Sequence, residues 1–197
     1  MGLKKKGCLL QSTESGQIGW ALGLWFMLFS GVLLCALLQM EIFRASSQYM
    51  EDALAASNLA AAVIDVEEYG ISHKLQISDP SEAYDWYKEA LRANLSLNDL
   101  WECENKGLIS GPVHIENFTV YNVDGSQVEV CSFDGNGAEV RRYGTLGQER
   151  APNGCKVENT GIYSEISYQI KGVLGIEVTA RKGKLVDVVR CENNVQG

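Results

Sequence analysis

Between Glu14 and Glu41 the chain carries no charged side chain. The stretch Ile18–Met40, IGWALGLWFMLFSGVLLCALLQM, is 23 residues long with Gln39 as its only strongly polar member. At about 1.5 Å per residue a helix of that length covers about 35 Å, enough for a hydrocarbon core of about 30 Å. This pattern predicts a transmembrane helix at 18–40. The apolar region exceeds the 7–15 residues of a secretory signal. The nearest small-x-small site, Ala53-Leu54-Ala55, lies too far beyond it for ordinary cleavage, so an anchor is expected.

From Glu41 the pattern stays helical, but its composition changes. No Gly or Pro interrupts EIFRASSQYMEDALAASNLAAAVIDVEEY, and Ala recurs at 45, 53, 55, 56, 60, 61 and 62. Ala is the strongest helix former, so a helical extension over 41–70 is predicted, continuous with the span to about Val66 and roughly 70 Å long. Tyr49, Ala53, Ala56, Ala60, Val63 and Ile64 fall at helical spacing as one small, apolar stripe. A second helix is expected from Asp79 to about Leu97, with Pro80 in its first turn and Tyr84, Trp86, Tyr87, Leu91 and Leu95 in its body. The segment WECENKGLISGP then reads as loop.

The period next drops from 3.6 to 2. VHIENFTVYNV and SQVEVCSFD flank Asp124-Gly125, which predicts a hairpin. A weak strand is expected at Ala138–Tyr143. TGIYSEISYQIKG, VLGIEVTARKG and KLVDVVRC give two or three more strands, with breaks at Gly172–Gly175 and Lys182–Lys184. Helices first and strands afterwards predict an α+β fold with an antiparallel sheet. The expected division is a basic leader at 1–17, the span at 18–40, the Ala-rich extension at 41–70 and an α+β exported domain at 71–197.

Charge orients this arrangement. Lys4, Lys5 and Lys6 precede the span and Glu41 follows it, so the positive-inside rule puts the N-terminus in the cytoplasm and the C-terminal domain outside. The chain has 17 basic and 25 acidic residues, a net charge of −8, and all but one of the acidic residues lie beyond the leader. Nucleic acid is excluded as a partner, because phosphate binding needs a clustered cationic surface. Cys103, Cys131, Cys155 and Cys191 fall in the exported part, where four cysteines predict two disulfides of undetermined connectivity. Their spacing contains no Cys-x-x-Cys pair, so zinc is poorly supported.

Catalytic chemistry is hard to place. His73 and His114 are the only histidines, and neither belongs to a HExxH arrangement. No Gly-x-Ser-x-Gly elbow or phosphate loop occurs. A Cys103–His114 nucleophile pair has only nearness in sequence behind it. The turn Asp134-Gly135-Asn136-Gly137-Ala138-Glu139 lacks the ligand spacing of a calcium loop. The expectation is a non-catalytic protein with no metal or cofactor.

The basic leader, Ser15-Gly16-Gln17, the apolar IGWALGLWFMLFSGVLL, the Ala-rich DALAASNLAAAVID and the terminal strands SYQIKGVLGIEVTARKGK together resemble type IV pilin-like proteins. The layout is most similar to the TadE-type, pseudopilin-like components of tight-adherence pilus and related secretion systems. The resemblance covers the first third and the last sixth of the chain. It implies cleavage between Gly16 and Gln17 by a prepilin peptidase, self- or co-assembly with other pilus or secretion subunits, and helix packing through Gly19, Gly23, Gly31, Ala53, Ala56 and Ala60. That family carries Glu as the fifth mature residue, whereas cleavage after Gly16 places Ala21 there, so an unprocessed membrane-resident component is an equal expectation. The competing reading is a single-pass protein whose acidic ectodomain binds a cell-wall polymer or a partner protein.

Overall fold

A computed structural model of the chain describes residues 13–104 and 109–189, without the side chains of 13–18 and 174. Two compact units divide at Ile42 and Phe43. Helix α1, Thr13–Ala61, runs through 49 residues. In the first unit every large apolar side chain from Trp20 to Met40 is between 45% and 76% exposed, so none of them finds a core there. One helix is thus long and apolar enough to cross a bilayer.

The second unit begins with the rest of α1, which ends at Ala61, earlier than the Ala-rich pattern predicts. Asp65 accounts for the restart: its carboxylate accepts the amides of Glu67 and Glu68 at 3.0 and 2.9 Å and caps the short helix α2, Val66–Ser72. Helix α3, Pro80–Leu95, starts in the same way, with Asp79 accepting Ser81 and Glu82 and Pro80 at the first turn. It buries Tyr84, Tyr87, Leu91 and Leu95 along one face.

Five strands follow: β1 (Ile109–Asp124), β2 (Gln127–Asp134), β3 (Glu139–Thr145), β4 (Gly161–Lys171) and β5 (Glu177–Asp187). They form one sheet in the order β3-β2-β1-β4-β5, and every neighbouring pair is antiparallel. The fold is therefore α+β. The β1–β2 hairpin closes at the predicted place, with Asp124 opposite Gln127 and Gly125 at φ +59°. A short 3₁₀ turn at Val173–Gly175 fills the first expected break. The second break is absent. β5 pairs with β4 without interruption from Glu177 to Asp187, straight through Lys182-Gly183-Lys184. Gly183 serves packing there: a Cβ on it would run into the Tyr163 hydroxyl and lie 2.9 Å from the ring carbon Cζ.

Both faces of the sheet are covered. On one side the rings of Tyr84 and Tyr87 reach Phe118 at 5.3 and 4.8 Å, and Tyr84 stacks on Phe133 at 5.0 Å. Aromatic pairs at these separations add about 0.5–1.5 kcal/mol each to the area they bury. On the other side Tyr121, Val128, Val130 and Tyr163 pack against Ala151 and Val157 from the loop between β3 and β4.

The way α1 docks within this unit departs from the sequence pattern. Its buried residues are Ser46, Met50, Ala53, Leu54, Ser57, Asn58 and Ala61, a face that includes three polar side chains. Tyr49 and Val63 of the spaced apolar stripe stay exposed, as do Ala56 and Ala60. Asn58 Nδ2 donates to the carbonyls of Lys184 (2.9 Å) and Ile162 (3.4 Å), and Asn94 Nδ2 donates to Ser57 Oγ at 3.0 Å. Glu51 lies between Lys182 and Lys184, at 2.8 and 2.7 Å. Hydrogen bonds and ion pairs thus select a face that apolar periodicity does not mark.

Candidate functional site

The residues expected to matter do not converge on one place. Gly19, Gly23 and Gly31 lie on the exposed apolar part of α1, and a Cβ on any of them would meet nothing within 4 Å. Gly19 and Gly23 are one helical turn apart, the small-xxx-small spacing that lets lipid-buried helices approach closely. Gly16 and Gln17 also fall in α1, but their side chains lie outside the described residues. Ala53 is buried in the second unit, whereas Ala56 and Ala60 remain exposed.

The cysteines correct the disulfide expectation. Cys103, Cys131 and Cys155 are each free, and Cys191 lies outside the described residues. Cys131 is buried in β2 with its Sγ 3.1 Å from Glu139 Oε1. Burial and the neighbouring Glu139 push its thiol up to about 12. Cys103 is half-buried with its Sγ 3.5 Å from the Leu95 carbonyl, and burial raises it too. Neither thiol has the electropositive, accessible setting of a nucleophile. Cys155 is exposed in the loop between β3 and β4.

Among the described residues no group of three or more His, Cys, Asp and Glu side chains is arranged to hold a metal ion. The acidic turn after β2 is built by Asp134 itself, whose Oδ1 accepts the amides of Asn136 (2.9 Å) and Ala138 (2.8 Å). His73 ends α2 in a left-handed conformation, φ +57°, while His114 is exposed on β1.

Two clefts remain. One, of about 340 Å³, lies between His73, Lys74, Asp124 and the Glu158–Thr160 loop. The Lys74–Asp124 ion pair, at 2.8 Å, occupies part of it. The other, of about 390 Å³, lies between the outer end of α3, the start of β1 and the turn after β2. Trp101 stands on its rim with φ +61°, the left-handed region that costs a non-glycine residue about 1–2 kcal/mol. The surrounding loop enforces this conformation. Asn98 Oδ1 accepts the amides of Leu100 and Glu102, and the Trp101 carbonyl accepts Val113 N at 2.8 Å. A Lys88 ammonium sits across the cleft, 4.6 Å from the centroid of the Tyr84 ring and 2.7 Å from Asp85.

No family model, curated protein or solved structure matches this chain. The Trp101 loop reads in the sequence as an ordinary turn; its one legible signal was a large aromatic residue in a polar Asn98-Asp99 context.

Proposed function

We propose that this protein is a non-catalytic, single-pass membrane component that assembles with other pilus- or secretion-type subunits, or with copies of itself, through α1. Its N-terminus lies in the cytoplasm and its sheet domain on the outer side of the membrane. One observation carries the reading: α1 passes without a break from an uncharged segment whose large apolar side chains are all exposed into a half that is buried on one face only. Exposed apolar residues from Trp20 to Met40 fit lipid, and the exposed Ala56 and Ala60 beyond them leave small-residue surface for a neighbouring helix. The flanking charge supports the orientation.

A photo-cross-linking amino acid placed singly at Gly23, Ala56 and Ala60 tests this in native membranes. Assembly predicts a discrete adduct at one or more of these positions, and its mass identifies the chain as self or partner. Uniformly monomeric protein at all three would refute it. The N-terminus of the recovered protein separates the two forms of the proposal, because a chain beginning at Gln17 is a processed subunit and one retaining the leader is a resident platform.

A second reading, an anchored binding module, is favoured by the cleft at Trp101.

A further inference from the structure

The Trp101 cleft has no acidic side chain in its lining, unlike the acidic chain around it, and the Lys88 ammonium keeps donors beyond the one it gives Asp85. The chain carries 25 acidic residues, yet none of the cleft's eleven lining residues is acidic, and two of them are Lys88 and His114. Asp85 and Asp134 lie nearby, but the first pairs with Lys88 and the second has an oxygen engaged in its own turn. His114 is exposed on the cleft wall. The loop holds the Trp101 backbone in a conformation that glycine alone adopts freely, and Leu100 beside it is 73% exposed.

The geometry points to this cleft as a binding site for a saccharide unit bearing a carboxylate. An indole face packs against the C–H face of a sugar ring, and Lys88 and His114 supply donors for the acid. The turn at Gly135–Gly137 brings backbone against the opposite side. A volume of about 390 Å³ lies in the range of small-ligand sites, which are commonly about 300–1,000 Å³. An extended peptide is disfavoured, because strand addition needs an open edge. Here the edge of β1 is closed: Glu102 bridges Pro112, and Val113 N is already given to Trp101. This inference goes beyond the assembly reading and does not depend on it.

The test uses the full chain in detergent, titrated by calorimetry and saturation-transfer NMR with a glucuronic-acid oligosaccharide, its neutral glucose counterpart and an acidic tetrapeptide. The acidic saccharide is expected to bind at sub-millimolar concentration, with the neutral one at least about tenfold weaker. Trp101→Gly is expected to abolish saccharide binding while the melting temperature holds or rises, because φ +61° suits glycine. Lys88→Gln is expected to erase the preference for the acid and leave weak sugar binding. The proposal is overturned if neither saccharide gives a signal at millimolar concentration, or if the tetrapeptide binds in place of the sugar. It is equally overturned if Trp101→Gly unfolds the domain, since the ring would then be a packing element.

Discussion

Replacing Gly183 by Ala separates two explanations of a glycine between two lysines in β5. If Gly183 marked a break between strands, Ala would fit or even help, because glycine inside regular structure costs about 0.5–1 kcal/mol relative to Ala. In the structure β5 is continuous, and the ring of Tyr163 covers the glycine. The new Cβ would collide with the Tyr163 hydroxyl and lie 2.9 and 3.1 Å from Cζ and Cε2. Tyr163 is 1% exposed, packed among Tyr121, Val130, Ala151 and Val157, and its hydroxyl donates to Glu165 Oε2 at 3.0 Å. The ring therefore has little room to retreat. Overpacking of this kind costs about 1–3 kcal/mol. Set against the intrinsic gain, the net destabilisation is about 1–2 kcal/mol. For a unit of this size that is a fall of about 2–8 °C in melting temperature by near-UV circular dichroism. In a Tyr163→Leu background the same substitution should become neutral or stabilising, so the two changes couple by more than about 1 kcal/mol. A rise in melting temperature for Gly183→Ala alone would refute the packing argument and return position 183 to a break.

Glu51 is held down to about 2 from an ordinary 4.5, first by hydrogen bonds from Lys182 and Lys184 and then by their charges. A depressed carboxylate stabilises the fold above its unfolded value and ceases to do so as pH falls through the folded one. The stability gap between wild type and Glu51→Gln should thus be flat above about pH 5 and vanish between pH 4.5 and 2. With more than a third of the side chain exposed, that gap should stay below about 1 kcal/mol. A gap that widened on acidification would contradict the ion pairs. Cys131, with its thiol near 12, should resist alkylation at pH 8 in the folded protein and react only on unfolding, whereas Cys155 should react at once. Peptide mapping after a timed iodoacetamide pulse checks this, and rapid modification of Cys131 would show that β2 is open.

How much of this was legible in the sequence depended on the range of the interaction. Local signals worked: Asp79-Pro80 starts α3, Asp124-Gly125 closes the hairpin, and an uncharged run marks the exposed half of α1. The antiparallel sheet followed from the change of period at residue 113. What failed was set by partners distant in sequence. The buried face of α1 includes Asn58, whose acceptors are the carbonyls of Lys184 and Ile162, more than a hundred residues away, and Ser57, which accepts from Asn94. Gly183 looked like a breaker because the ring above it belongs to β4. Four cysteines beyond the apolar segment looked like two bridges, but Cys131 is buried beside Glu139 and no disulfide joins the described ones. Trp101 lies in a loop as its context predicts, but its left-handed backbone was not legible, because it depends on Asn98 and on a hydrogen bond from Val113.

The central claim, an anchored chain with its sheet domain outside, is tested most directly by its own thiols. Intact cells treated with a membrane-impermeant maleimide should label Cys155, which is exposed in the sheet domain, and, in a chain that retains its leader, leave Cys8 unmodified until the membrane is permeabilised. Labelling of Cys8 with protection of Cys155 would invert the topology, and equal labelling of both in a soluble fraction would remove the anchor altogether.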